Sequence, residues 1–383
     1  MPIGVNYMLS HQGPPYKTFD TFDTKDFHAD EIDQDLKAIA GAGFNFVRLW
    51  LKGLDTDDGF SLGPHQISPA YVDNVYKTMH AARAVGLRVV LTGSFPKSNW
   101  VPANYLPTGL PGDDAVGGMN RLILLPEMAE ATGDFFRDLL QALQAKDPNV
   151  LNAIFYLDLM NEFHFSLDAP PFSKFSGQYR YRGKDYDLSS GASRQALMDD
   201  AAEAWLRTVK AKVTAVKPDL LVTASSFFLL AVNHNSFDGG ALTSKGDKAN
   251  PNFPLRPSAV LRGGADIIDV HVYPGPARPN LPGTHVRFDA IMHASEITES
   301  TARDAPIIAG EFGADKQKFA TAADAPEELL ADEQVFCRYH VTGFAAWMWK
   351  GSGDTWMLTD EPLMRALAPK YNPEFCGHKV VAL

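Results

Sequence analysis

The run Ile154-Phe155-Tyr156-Leu157-Asp158-Leu159-Met160-Asn161-Glu162 decides the fold. It is apolar for most of its length and turns polar only at its C-terminal end. Such runs, flanked by amphipathic helices, mark parallel strands covered on both faces. A helical stripe precedes it (Phe136, Leu139, Leu140, Leu143), and another follows (Leu206, Val209, Val213, Val216) and stops at Pro218. Outward from this centre the alternation repeats. Strands are predicted at Ile3–Met8, Asn45–Leu51, Leu87–Gly93, Ala153–Met160, Leu220–Ser225, Asp266–Val272, Pro306–Gly310 and Gly343–Trp349. Ile32, Leu36 and Ile39 form a further stripe, ended by Gly41 and Gly43; Val72, Val75, Met79 and Ala82 form another, ended by Gly86. Eight such units predict right-handed βαβ crossovers closing into a (β/α)8 TIM barrel. No linker divides residues 1–383, so one catalytic domain with long βα loops is expected.

Composition narrows the function. Lys and Arg number 35 against 46 Asp and Glu, a net charge of −11, with no basic run. Nucleic-acid binding needs a basic face, and membrane attachment a polybasic or long apolar segment; neither partner is expected. The two cysteines, Cys337 and Cys376, exclude a disulfide scaffold but allow one bridge. The start, MPIGVNYMLSHQG, has no basic region followed by an apolar stretch. A cytoplasmic protein is expected as written, or a secreted or periplasmic one if a leader has been removed. Oligomeric state is not legible.

The predicted strands end in chemistry. Strand two ends Phe46-Val47-Arg48-Leu49-Trp50, strand six reads Asp269-Val270-His271-Val272-Tyr273, strand seven Ile307-Ile308-Ala309-Gly310-Glu311-Phe312-Gly313, and strand eight ends Trp347-Met348-Trp349-Lys350. Barrel enzymes keep their sites on this face. Strands four and seven lie across the mouth, so Glu162 and Glu311 can converge. Paired carboxylates suit glycoside hydrolysis, one as acid/base and one as nucleophile. Asp158 shares a strand face with Glu162 and is expected to fix a neighbour inside the barrel. Three loops, Phe95–Pro126, Phe163–Ser193 and Phe227–Pro257, are long enough to be functional. They and the C-terminal region carry Trp100, Tyr105, Tyr179, Tyr181, Tyr186 and Trp356, as outer sugar sites or as loop packing. Asp55, Asp57 and Asp58 read as solvated charge, lacking a calcium-ligand pattern. No zinc-type Cys/His cluster occurs, and strand one ends Val5-Asn6-Tyr7 without His-x-His, so neither metal nor cofactor is expected.

On Asn161-Glu162, His271-Val272-Tyr273, Gly310-Glu311-Phe312-Gly313, Arg48 and the Trp-rich strand eight, the chain resembles the retaining β-glycosidases of glycoside hydrolase clan A, most of all family 5. The resemblance covers almost the entire chain. It implies Glu162 as general acid/base and Glu311 as nucleophile. It implies substrate contacts from Asn161 at the sugar 2-hydroxyl and from His271, with Tyr273 orienting Glu311 and Arg48 holding Glu311 anionic. Trp349 is implied as the apolar floor under the sugar, with Trp347 and Trp100 as further substrate-binding residues. The chain departs from many members after strand three, where Thr92-Gly93-Ser94-Phe95-Pro96-Lys97-Ser98-Asn99-Trp100 has no His. Asn99-Trp100 and Val47-Arg48-Leu49-Trp50 resemble mannan-active branches, while Gly343-Phe344-Ala345-Ala346-Trp347-Met348-Trp349-Lys350 resembles exo-acting β-glucanase and β-glucosidase branches. The expected activity is hydrolysis of β-linked glycosides or short oligosaccharides, exo-acting, of β-glucosidase or β-mannosidase type. An endo-acting β-1,4-mannanase or β-glucanase is the alternative, and a non-catalytic sugar-binding barrel or a metal-dependent hydrolase the reading from another class. Sugar, linkage and aglycone stay open. The bland readings are a helix-start carboxylate for Glu162, a buried ion pair with Arg48 for Glu311 and a core imidazole for His271.

Overall fold

A computed structural model describes residues 1–9, 21–51, 60–94, 100, 116, 119–232, 234, 237, 251–279, 281–297, 304–350 and 354–383. The expected residues Asp55, Asp57, Asp58, Asn99 and Tyr105 lie outside them. The barrel strands are β1 (Ile3–Tyr7), β2 (Phe46–Trp50), β3 (Arg88–Thr92), β4 (Ile154–Asp158), β5 in two pieces (Val222–Thr223 and Ser226–Phe227), β6 (Ile268–Val272), β7 (Ile307–Gly313) and β8 (Val341–Trp347). Helices follow in turn: α1 (Ala29–Gly41), α2 (Pro69–Ala84), α3 (Pro126–Lys146), α4 (Gly191–Thr214), α5 (Pro257–Arg262), α6 (Thr284–Ala294), α7 (Pro326–Arg338) and α8 (Glu361–Leu367). This is the expected (β/α)8 barrel.

Closure depends on β5. Its first piece pairs with β4 (Val222 opposite Leu157, Thr223 opposite Asp158). Its second pairs with β6 (Ser226 opposite Val270, Phe227 opposite His271). All the strand pairings around the barrel are parallel. The predicted strand five, Leu220–Ser225, therefore ends two residues early and misses the break. Strand seven runs three residues beyond Gly310, and strand eight stops at Trp347 rather than Trp349.

Period-two alternation sorts each strand. Val5, Val47, Leu49, Val89, Leu91, Leu157 and Ala309 join the large core that includes the helix stripes. Phe46, Val90, Tyr156, Ile267, Ile308 and Ala345 face inward as a separate apolar cluster within the barrel. Room for the Phe46 ring is left by Gly4, where a Cβ would come within 2.5 Å of it. Two residues further along β2 and β4, the inward positions become Arg48 and Asp158. The barrel is thus floored with hydrocarbon, and charge sits above it, toward the strand C-termini.

The helix stripes behave as read, except that Val216 falls beyond the end of α4 and is only half-buried. Cys337 of α7 is bridged to Cys376, their Cα atoms 5.2 Å apart. Among the described residues, no helix is long and apolar enough to cross a membrane.

Candidate active site

Arg48 organises the site from inside. It is fully buried. Its Nη1 donates to Asn6 Oδ1 (3.0 Å) and Glu311 Oε1 (2.8 Å), and its Nη2 to Asp158 Oδ2 and Asn161 Oδ1 (both 2.7 Å). A guanidinium presents a rigid fork of donors, which suits it to hold several acceptors at fixed angles. Burial alone would lower the Arg48 pKa, but Glu311, Asp158 and Asp269 outweigh it and raise it, so the cation persists. The Ser225 N–H donates to Asp158 Oδ1 and its hydroxyl to Oδ2 (both 2.8 Å). That is the fixing role expected of Asp158.

A bulge aims Glu311. On β7, Ala309 pairs with Val270 but Glu311 pairs with the next residue of β6, His271, so Gly310 has no partner there. Toward β8 the ladder slips between Ala309 and Phe312. The extra residue bends the strand and re-aims the side chain, as bulges beside active sites do. Asn6 Nδ2 donates to the freed Gly310 carbonyl (2.9 Å), and the Gly310 N–H donates to Asp269 Oδ1 (3.0 Å). Only glycine fits here, because a Cβ would lie 2.0 Å from that carboxylate oxygen. Tyr156 donates its hydroxyl to Asp269 Oδ2 at 2.9 Å. Burial, opposed by Arg48, pushes Asp269 up to about 8.

Glu162 is placed by different means. Its φ is +46°, a left-handed conformation that costs a non-glycine residue about 1–2 kcal/mol. Its N–H donates to Ser225 Oγ (3.1 Å), and its carbonyl oxygen meets His164 Nδ1 at 2.6 Å. These contacts turn the chain at the end of β4 and swing the carboxylate over the mouth.

The two carboxylates converge. One donor atom each from Glu162, His271 and Glu311 lie within 4.8 Å of one another. His271 Nδ1 is 3.0 Å from Glu162 Oε1 and 3.4 Å from Glu311 Oε2. Its Nε2 faces Arg48 Nη2 at 3.4 Å. Because Arg can only donate, that geometry assigns Nε2 as acceptor and the proton to Nδ1, which then donates to Glu162. Burial, opposed by Glu311, lowers His271 to about 4 and keeps it neutral near pH 7.

Both glutamates are pushed up by burial. Arg48 and His164 oppose the rise at Glu162. At Glu311, His271, Arg48 and the Tyr273 hydroxyl oppose it and Glu162 adds to it. Arg48 thus favours the Glu311 anion as expected, but the net direction is upward. Surroundings distinguish the pair more clearly. Glu311 accepts from Arg48 on one oxygen and from the Tyr273 hydroxyl on the other, and 3% of its side chain is exposed. Glu162 keeps 37% exposed, opening onto a cavity of about 450 Å³ that His271 and Tyr273 also line. A donor-saturated carboxylate suits a fixed anion, and one open to solvent suits proton exchange. The same donor set has the makings of a metal site, but the buried guanidinium 2.8 Å from Glu311 already neutralises it.

Arg48, Asn161, Glu162, His271, Tyr273 and Glu311 are therefore brought together. Trp347 joins them, half-buried, its ring edge-on to Trp50 (5.8 Å) and Tyr273 (6.2 Å). Trp349 does not. It is 5% exposed and packs edge-on against Phe44 in the outer core. Strand β8 ends at Trp347, so the two rings do not share a strand face. Trp100 is also no substrate contact: it is fully buried, donates to the Ala131 carbonyl (3.0 Å) and packs on Phe60 and Phe135. Tyr179, Tyr181 and Tyr186 belong to a hairpin, Gln178–Tyr181 with Lys184–Asp187, and Tyr186 donates to Asp200 of α4. Trp356 donates to the Phe319 carbonyl at 3.0 Å. The sequence reading missed Asn6, Ser225, Asp269 and Tyr156. Asn6 and Asp269 are polar residues at inward positions of apolar strands, the same signal that exposed Arg48.

No protein-family model matches the chain, and no curated protein matches it. Solved structures do. An exo-β-1,4-mannosidase from Opitutaceae bacterium strain TAV5 is similar with TM-score 0.57 and 18% identity, over 96% of this chain and 55% of that one. A GH5_18 protein from Streptomyces cattleya, in complex with Manβ1-4GlcNAc, gives 0.57 and 19%, over 97% and 80%. The endo-1,4-β-mannanase from Rhizomucor miehei gives 0.57 and 13%, over 97% and 93%. The chain spans about half the length of the first of these, and its barrel is folded as theirs are, which is the fold of glycoside hydrolase family 5.

Proposed function

We propose that the protein is a retaining glycoside hydrolase acting on β-linked glycosides, and β-mannosides in the first instance. The observation that carries this is the approach of Glu162 and Glu311 oxygens to within 4.8 Å over the barrel mouth. Double displacement needs carboxyl groups about 5–5.5 Å apart, whereas inversion leaves about 6.5–9.5 Å for a water between them. Glu311 attacks the anomeric carbon while Glu162 protonates the departing oxygen; Glu162 then takes a proton from the water that releases the sugar. Asn161, anchored by Arg48, is placed to meet the sugar 2-hydroxyl, and Trp347 to cover an apolar sugar face.

The mannoside preference is supported by the mannosidase and mannanase activities of the fold neighbours and by Val47-Arg48-Leu49-Trp50. Exo action on short substrates is supported by the three long loops after strands three, four and five; an endo-acting mannanase is the alternative. A purely sugar-binding barrel leaves unexplained two carboxylates set against each other over the barrel mouth. The Cys337–Cys376 bridge supports an exported protein, since reducing compartments keep thiols apart.

The test is product stereochemistry. Proton NMR in the first minutes of hydrolysis of a β-mannoside or β-glucoside is expected to show the β-anomer, mutarotating later to the equilibrium mixture of anomers. An initial α-product means inversion and ends the assignment.

The acid/base role makes a separate prediction. Glu162 must be protonated for the first step, so activity is lost as pH rises through its pKa. Because that pKa is raised, the basic limb of kcat/KM is expected above the ordinary carboxylate range. With a dinitrophenyl glycoside, whose leaving group needs no acid, Glu162→Gln is expected to keep glycosylation and lose that limb. A basic limb unchanged in the variant assigns it to another group.

A further inference from the structure

The cavity that opens from Glu162 carries a cluster of cations on its wall, in a protein of net charge −11. Arg278, Arg287 and Lys318 all line it, and among the described residues Glu162 is its one acidic wall residue. Each cation is held by a backbone carbonyl rather than a carboxylate. Lys318 Nζ donates to the Tyr273 carbonyl (2.5 Å), Arg278 Nη2 to that of Gln317 (3.1 Å) and Arg287 Nε to that of Pro282 (3.0 Å). Among the described residues, none of the three has a salt-bridge partner within 4.0 Å; Asp332, near Arg287, has no hydrogen bond on either oxygen. Burial, and then Arg278 and Arg287, lower the Lys318 pKa, while Asp315 opposes them. Three like charges gathered in one hollow repel one another, an arrangement that an anionic ligand relieves.

Position says which part of a substrate would lie there. The cavity shares its wall with Glu162, the group that protonates the leaving oxygen, and Glu311 is not among its lining residues. It has room for a sugar-sized group. We propose that this cavity is the leaving-group subsite and that it selects substrates whose leaving group carries an anion, a carboxylate or a phosphate. The inference rests on the glycosidase reading for its direction. The spare Arg278 and Arg287 donors bind the anion through charge-assisted hydrogen bonds, and Lys318 adds charge while holding the Tyr273 loop.

The experiment uses β-mannosides and β-glucosides matched except at the leaving sugar: glucose, glucuronate or glucose 6-phosphate. At low salt, kcat/KM for one anionic substrate is expected to exceed the neutral one by about tenfold or more. The carboxylate and phosphate arms identify which anion the site takes. Arg278→Gln and Arg287→Gln are each expected to lower the anionic-to-neutral ratio severalfold, and added NaCl to lower it further. Arg278 is exposed, so its substitution does not threaten the fold. Equal rates on neutral and anionic substrates, or a ratio that neither substitution moves, overturns the proposal. If none of the substrates is cleaved, the glycosidase reading fails first. Calorimetric binding of glucuronate and glucose 6-phosphate against glucose then decides the cavity by itself: preference for the anions sustains it, and parity ends it.

Discussion

Glu311→Gln is expected to lower kcat/KM by about four orders of magnitude or more, the scale on which loss of a reacting group acts, and to leave the fold intact. The amide keeps an oxygen for Arg48 Nη1, now 2.8 Å from Oε1, and nearly the same volume. What it lacks is the negative charge and lone pair that form the covalent bond. Circular dichroism and urea denaturation are therefore expected to match the parent while turnover collapses. A second readout separates nucleophile from mere positioning residue. In Glu311→Ala, azide placed in the vacated space attacks the anomeric carbon from that side, and the trapped product is expected to be the α-glycosyl azide. Activity within tenfold of the parent, or a β-azide from this variant, removes Glu311 from the role.

Arg48→Met is the second large effect, and it falls on stability as well as activity. Methionine roughly fills the space but removes the cation and four hydrogen bonds, to Asn6, Glu311, Asp158 and Asn161. Asp158 and Glu311 are then buried anions without a counter-charge. Breaking a buried pair from one side costs about 3–5 kcal/mol, a large part of the stability of an ordinary protein. The expected result is a marked fall in the urea midpoint with little change in the slope. Activity changes in a definite direction too. Arg48 lowers the Glu311 pKa against burial, so its loss raises that pKa. Glu311 must be ionised to attack, and the acidic limb of the pH profile moves to higher pH. Arg48→Lys is expected to restore charge but not the fork geometry, and to recover stability better than rate. A midpoint equal to the parent's would show that the network around Arg48 is not what holds the mouth together.

The two substitutions probe different layers of one construction. Residues on the barrel axis run from hydrocarbon (Phe46, Tyr156, Ile308) to charge (Arg48, Asp158, Asp269) to the reacting pair. The charged layer is buried. It fixes the angle of Glu311, anchors Asn161 and holds Ser225, which in turn accepts from the Glu162 backbone. Positioning of this kind is worth orders of magnitude in rate when it holds reacting atoms near attack distance.

By itself the sequence determined the barrel, because apolar runs separated by amphipathic stripes have few ways to bury both faces. It also set Arg48, Glu162, His271, Tyr273 and Glu311 at the C-terminal ends of their strands, because an apolar run that turns polar is legible within one segment. Other features were decided only by tertiary structure. The Gly310 bulge is a slip between neighbouring strands, which no single strand records. Asn6 and Ser225 matter through bonds to Gly310, Arg48 and Asp158, residues distant in the chain. Trp347 and Trp349 are alike in text, and the end of β8 between them sends one ring to the mouth and the other to the core. The cation-lined cavity joins residues from the turn after β4, the loop after β6, α6 and the loop after β7. A local pattern fixes which way a side chain points from its own backbone; what it meets there depends on how distant segments pack.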